Sequence, residues 1–261
     1  MRLVTLNMNG IRAAVRKGVW DWLSAADADI VCLQETRIQA DQLKPALDPP
    51  EGFNAYHLHA EKPGYSSVAI LSRREPDRLV EGIGWEDFDR EARVLRADFD
   101  GLSVVSLYLP SGSSKDERQQ FKEASMARLV EWMQALREER EEVVVCGDWN
   151  IAHTEKDIKN ARGNRNNSGF LPQERAWMDE LFGDHGWHDV FRRLHPEAEG
   201  EGYTWWSNRG QAFARNVGWR IDYQVASAGL AASAAKAWVV REPRFSDHAP
   251  LLVDYDLTWP A

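Results

Sequence analysis

The chain holds only two cysteines among its 261 residues, Cys32 and Cys146. Two thiols cannot build a cysteine-rich zinc module. Each closes an apolar run, DIVC and VVVC, which predicts buried, reduced thiols and a reducing, cytoplasmic setting rather than a disulfide. No apolar run approaches the roughly 20 residues of a membrane helix, so no membrane partner is expected. The opening stretch MRLVTLNMNGIRAAVRKG lacks the apolar centre and small-residue cleavage site of a secretory signal, and export is not expected. Basic residues do not predominate either. The formal charge of −9 repels polyanions, so a nucleic-acid partner requires cations concentrated locally.

Such concentrations exist. Residues 1–20 carry Arg2, Arg12, Arg16 and Lys17 without an acid, and residues 156–169 carry Lys156, Lys159, Arg162 and Arg165 against Asp157. The segment 81–100, with seven acids and three arginines, has the opposite sign. On charge alone these runs read as solvated faces. Twelve Trp, nine Phe and six Tyr supply ample apolar surface for a core, which excludes disorder. With no repeat and no low-complexity linker, 1–261 reads as one domain.

Short apolar runs recur at 2–8, 29–34, 67–72, 94–99, 102–109, 142–147, 221–226, 237–240 and 250–255, bounded by Gly, Pro and Asp, and predict strands. The near-continuous runs 29–34 and 142–147 predict central strands buried on both faces. Residues 115–138 place Phe121, Met126, Leu129, Val130, Met133 and Leu136 at helical spacing, with Ser114 and Glu117 as a capping box. A second helix is expected after Leu171, with Pro172 in its first turn. Strands outnumber helices and 94–99 with 102–109 reads as a hairpin, which favours sheet packed on sheet with helices outside.

Polar residues gather where these strands end: Asn7 and Asn9, Glu35, Tyr108, Asp148 and Asn150, Asp222, and Asp247-His248. Rims of buried strands hold side chains rigidly and can converge on one site. A set of carboxylates and amides with one His suits a hard divalent cation, Mg²⁺ or Mn²⁺, better than zinc. Each residue also has an ordinary reading: Asp148 as turn chemistry, Asn150 as a cap, Glu35 as the partner of Arg37, His248 as a satisfied half-buried imidazole. His57, His59, His185, His188 and His195 carry no functional assignment. Spacing alone reaches a metal-assisted hydrolase of phosphate esters and no further.

At these residues the sequence resembles the exonuclease III family of apurinic/apyrimidinic (AP) endonucleases, within the endonuclease/exonuclease/phosphatase superfamily. The matching blocks are LNMNGIRA (6–13), VCLQETR (31–37), LYLPSG (107–112), GDWNIAH (147–153), NRNNSGFLPQERAW (164–177), NVGWRIDY (216–223) and FSDHAPL (245–251), in family order over nearly the whole chain. The resemblance implies an α/β fold, a four-layered sandwich of two mixed β-sheets packed face to face with helices outside. It implies a Mg²⁺ site at Glu35 with Asn7, and Asp247 as an additional ligand or its neighbour. Asp148 matches the residue that orients or deprotonates the attacking water, Asn150 its hydrogen-bonding neighbour, and Tyr108 the phenol beside the phosphate. His248, held by Asp222, matches the imidazole on the scissile phosphate.

The resemblance also places 156–169 and 205–221 at the DNA. It makes Trp205, Trp219 and Ile221 the pocket for a flipped-out abasic sugar, which without it would read as core. Asn164 and Asn167 match positions that hold the phosphate and backbone around the lesion, and Asn208 or Arg209 is the candidate wedge. The small pair Ser168-Gly169 leaves room for an internal abasic site, where some relatives carry bulk and keep only 3′-end processing. Expected partners are double-stranded DNA with abasic sites or 3′ ends, with Mn²⁺ as a substitute for Mg²⁺ and the protein a monomer.

Two rivals remain at this level. The segments FGDHGW, GWRIDYQVASAGL and PRFSDHAPLLVDYD also resemble the catabolite-repression control protein, a family relative without nuclease function. That relative departs from the family at its acidic and asparagine positions, whereas Glu35, Asp148, Asn150, Asp222, Asp247 and His248 are all present here. Phosphoinositide phosphatases, sphingomyelinases and DNase I-type nucleases share the metal and His chemistry, but NRNNSGFLPQER and NVGWRIDY favour the AP endonuclease branch.

Overall fold

The computed structural model describes residues 1–258; the last three residues of the expected 1–261 domain lie outside the described residues. In chain order the strands are β1 (Arg2–Asn7), β2 (Ile30–Gln34), β3 (Asn54–Leu58), β4 (Val68–Ser72), β5 (Arg78–Glu81), β6 (Val94–Phe99) and β7 (Leu102–Tyr108). They continue with β8 (Glu142–Asp148), β9 (His188–Asp189), β10 (Trp205–Trp206), β11 (Gly218–Trp219), β12 (Asp222–Ala226), β13 (Ala234–Val239) and β14 (Leu251–Tyr255).

Two six-stranded sheets result, one ordered β13-β14-β1-β2-β4-β3 and the other β5-β6-β7-β8-β12-β9, while β10 and β11 form a separate ribbon. Both sheets are mixed: β1–β2 and β7–β8 are parallel, and their neighbours antiparallel. Alternation along the strands builds the layers. Leu3, Ile30, Cys32, Val68 and Ile70 of one sheet meet Leu95, Ala97, Val104, Val144 and Cys146 of the other in the central core. Val4, Leu6, Val31 and Leu33 point the opposite way and pack on the helices Ile11–Arg16 and Val19–Ala25. Val105, Leu107, Val143 and Val145 likewise pack on the helices Asp116–Glu139 and Pro172–Phe182. The layers are therefore helix, sheet, sheet, helix, as expected, and β2 and β8 are buried on both faces.

All nine apolar runs become strands. The pattern missed the two-residue β9, β10 and β11, too short to show a period, and also β3 and β5, both sheet edges, because NAYHL and RLVE are half-buried or exposed and lack an apolar signature. The long helix begins at Asp116, and the expected Ser114–Glu117 capping box does not form: Lys115 is the cap residue and no side chain bonds to the first turn. Asp116 and Glu117 meet the positive end of the helix instead. Both cysteines are free and buried, as expected. Gly147, inside β8, has φ of 149°, and a Cβ there would stand 1.8 Å from the Leu107 carbonyl oxygen. Only glycine lets β8 lie this close to β7 just before Asp148.

Candidate active site

Strand register delivers the polar side chains to one rim. Tyr108 pairs with Asp148 across β7–β8, Asp148 with Asp222 across β8–β12, and Asn7 with Gln34 across β1–β2. Beyond these ends the chain turns sharply. Asn9, Glu35 and Asn150 all adopt left-handed backbone, with φ of 45°, 49° and 52°. That conformation is uncommon outside glycine, and a glutamate in it marks a turn held by its surroundings.

At the centre, His248 Nδ1 lies 2.9 Å from Asp222 Oδ2, and His248 Nε2 faces Asp148 Oδ2 at 3.8 Å. Both Asp148 oxygens are held, Oδ1 by the Asn150 backbone N–H at 2.9 Å and Oδ2 by Asn7 Nδ2 at 2.9 Å. Asn7 Nδ2 also donates to Glu35 Oε1 at 2.8 Å, so one amide bridges two carboxylates. Burial, reinforced by Asp222 and Glu35 against the pull of His248, pushes the Asp148 carboxyl up to about 7. Burial would lower His248, but Asp222 and Asp148 overcome it and raise the imidazole to about 10, keeping it a cation. Burial, then Glu35, raises the Tyr108 phenol well above its usual value and keeps it a donor. The Arg93 guanidinium lies 4.6 Å from the centroid of the Tyr108 ring, and its Nη1 bonds the Tyr108 carbonyl at 2.9 Å.

Asp148, Asp222 and His248 bring three ligand atoms within 4.8 Å of one another, a buried group capable of holding a divalent ion. His248 is already the cation of that trio, so a metal on its nitrogens must first displace a proton. Oxygen donors stand beside it. Glu35, Asp148 and Asp247 line one cavity of about 880 Å³, and such a hard donor set fits Mg²⁺ or Mn²⁺. Glu35 Oε2 also accepts from Arg37 Nε at 2.8 Å, so the ion-pair reading of Glu35 holds as well.

Around this centre the cavity is lined by Tyr108, Asn150, Asn167, Ser168, Gly169, Trp205, Arg209, Trp219, Ile221 and His248. Trp205 and Trp219 face each other across the β10–β11 ribbon, edge to face with ring centroids 5.9 Å apart. Trp205 Nε1 donates to Asp247 Oδ2 at 3.2 Å, while Asn9 Nδ2 donates to Asp247 Oδ1 at 2.8 Å. Gly169 closes on this wall: with φ of 93°, a Cβ there would meet the Asn150 carbonyl at 3.0 Å and Trp219 Cζ3 at 3.1 Å.

Two expected site residues, Asn7 and Asn164, stand outside the cavity lining. Asn7 is fully buried beneath Glu35, with its amide oxygen on the Asn9 N–H at 3.0 Å, so it turns a donor rather than a ligand oxygen toward the carboxylates. Asp222 stands behind His248. Asn164 bonds the Asn160 carbonyl and Asn167 rather than lining the cavity, which Asn166 does. Arg37, Ser111, Asp116 and Asn166 also line it and were not singled out from sequence; all but Asp116 lie inside the VCLQETR, LYLPSG and NRNNSGFLPQERAW blocks. The basic stretches are partly neutralised. Arg2 pairs with Asp254, Lys156 with Glu197 and Arg165 with Glu155, leaving Arg12 and Arg16 along a second, smaller groove.

Comparison with known proteins agrees with this geometry. The model of the endonuclease/exonuclease/phosphatase family matches residues 4–248. An exodeoxyribonuclease of Bacillus subtilis is 40% identical over 256 residues, covering 96% of this chain and 98% of that protein. The DNA repair nuclease APEX1 of Danio rerio is 37% identical, covering 96% and 81%. Among solved structures, an AP endonuclease from Archaeoglobus fulgidus superposes with a TM-score of 0.89 at 30% identity, covering 98% of this chain and all of that one. The 3′ phosphatase NExo from Neisseria, solved with a product DNA hairpin, gives 0.90 at 28% identity and the same coverage. Sheet architecture, rim chemistry and these matches coincide: the chain belongs to the endonuclease/exonuclease/phosphatase family, in its exonuclease III and AP endonuclease branch.

Proposed function

We propose that this protein is a Mg²⁺-dependent DNA repair nuclease that hydrolyses the phosphodiester 5′ to abasic sites in duplex DNA and trims 3′ ends at the same centre. The observation that carries the reading is His248 and a buried Asp148 facing each other at 3.8 Å across a cavity walled by Trp205, Trp219 and Gly169. His248 donates its Nε2 proton to a non-bridging phosphate oxygen as negative charge grows there. Asp148 takes the proton of the attacking water, a task suited to a carboxylate whose affinity for protons sits near neutrality. Asn150 and Asn7 fix the two Asp148 oxygens, and Tyr108 donates its phenol beside the phosphate. Glu35 and Asp247 would hold the Mg²⁺, which supplies Lewis-acid neutralisation of phosphate charge when bound. Trp205, Trp219 and Ile221 receive the extruded abasic sugar, Asn167, Ser168 and Gly169 border it, and Arg209 reaches the duplex. The bond from phosphorus to the leaving 3′ oxygen breaks as the water bonds to phosphorus, that oxygen takes a proton from solvent, and the products are a 3′-hydroxyl and a 5′-deoxyribose phosphate. With Cys32 and Cys146 free and buried, we place this activity in the reducing cytoplasm.

The test is a 5′-labelled duplex with one central tetrahydrofuran abasic analogue, incubated with protein in Mg²⁺ or EDTA. The analogue resists β-elimination, so a single Mg²⁺-dependent cut on its 5′ side supports the reading. Binding without any cut in Mg²⁺ or Mn²⁺ would transfer it to the non-catalytic regulator. A ladder from the 3′ end alone would restrict it to 3′ processing.

A further inference from the structure

Beneath the cavity floor, Lys122 of the helix Asp116–Glu139 and Glu174 of the helix Pro172–Phe182 form an ion pair at 2.5 Å, both side chains fully buried. A buried pair repays its desolvation only when its remaining polar capacity is also used, and an apolar pair of the same volume would join two helices as well. The remaining capacity here is spent on the cavity. Lys122 Nζ donates to the Asn150 carbonyl at 2.8 Å. Glu174 Oε2 accepts from the backbone N–H of Gly169 at 2.7 Å and of Leu171 at 3.0 Å.

These carbonyl and amide groups belong to the segments that shape the site. Asn150 is left-handed, and its own N–H holds Asp148 Oδ1. The Gly169 Cα position leaves barely a methyl's clearance to Trp219 and to the Asn150 carbonyl. The Gly169 carbonyl in turn accepts from the Ala152 N–H at 2.8 Å, closing a loop of bonds through both segments.

We propose that Lys122 and Glu174 are positioning residues with separate tasks. Glu174 seats Gly169 against Trp219 and so holds the wall of the cavity that receives the abasic sugar, and Lys122 orients the Asn150 peptide that aims Asp148. The inference rests on the function proposed above. Glutamine at 174 can present an acceptor to Lys122 or to the two amides, not to both.

The test compares wild type, Glu174→Gln, Lys122→Met and the double variant Lys122→Met/Glu174→Met, which leaves the two amides no acceptor, each normalised for folded protein by thermal unfolding. The double variant leaves no unpaired charge, so it stays informative if a single variant folds poorly. For Glu174→Gln and the double variant, kcat/KM on an internal tetrahydrofuran site should fall about tenfold relative to 3′-nucleotide removal by the same protein. Lys122→Met should lower kcat about tenfold on both substrates with KM held within about twofold. In parallel, amide hydrogen exchange at Gly169 and Leu171 should accelerate about tenfold or more in both Glu174 variants while β8 stays protected. An unchanged ratio of the two activities, or unchanged exchange at Gly169 and Leu171, overturns the proposal. If wild type cuts neither substrate, the functional reading fails, and the exchange measurement still decides whether the pair holds the floor.

Discussion

Asp222 Oδ2 accepts a hydrogen bond from His248 Nδ1 at 2.9 Å, while Asp222 Oδ1, fully buried, has no hydrogen-bond partner among the described residues. A buried carboxylate that spends one oxygen on an imidazole and leaves the other unpaired is costly to the fold. Its return is electrostatic: it holds the imidazole tautomer and its charge where the phosphate arrives.

Replacing Asp222 by Asn removes that charge while preserving shape. We expect Asp222→Asn to lower single-turnover cleavage of an abasic duplex about 10²–10³-fold with duplex affinity retained. A variant that cuts within a few-fold of wild type would assign Asp222 a structural task only.

EDTA should abolish turnover, and added Mg²⁺ should restore it. Glu35→Gln should raise the Mg²⁺ concentration for half-maximal activity about 10–100-fold, measured by metal titration of the cleavage rate. An unaltered titration would move the metal away from Glu35, to the Asp148–Asp222–His248 group.

Trp219→Ala removes one wall of the cavity. We expect KM for an internal abasic site to rise about tenfold, with removal of a 3′ nucleotide less affected. Equal losses on both substrates would show that Trp219 merely supports the loop.

Asp157 supplies a pH prediction away from the metal. Burial would raise its carboxyl, but Arg220 at 2.7 Å and Arg192 at 2.5 Å hold it well below the usual carboxylate range. A depressed carboxyl stabilises the fold fully above its unfolded value and loses that contribution as pH falls through the folded one. Stability to urea should therefore drop below about pH 4. Asp157→Asn should cost about 3–5 kcal/mol at pH 7 and flatten the acid limb. Parallel acid limbs for the two proteins would dismiss this carboxylate as a source of acid sensitivity.

The sheets were legible because burial on both faces leaves β2 and β8 as unbroken apolar runs. Edge strands β3 and β5 were not, since half-solvated positions carry no such mark. The site was legible as residue types at strand ends. Asn164 and Asn7 illustrate the limit: a short amide turns to whichever partner lies nearest, and for Asn7 that partner is a carboxylate 141 residues away. Lys122 gave no signal and Glu174 none beyond its place in the NRNNSGFLPQERAW block, since charged residues on a helix normally face water.

By itself the sequence determined the buried apolar strands, the layered α/β architecture and the inventory of the rim, because burial and backbone preference act locally on residue type. Tertiary structure alone decided which end of its amide Asn7 presents to the carboxylates, which cation each carboxylate meets, and how far Gly169 stands from Trp219. Those quantities depend on distances of a few ångströms between segments far apart in the chain, and at that range electrostatic energy in a dry interior changes steeply.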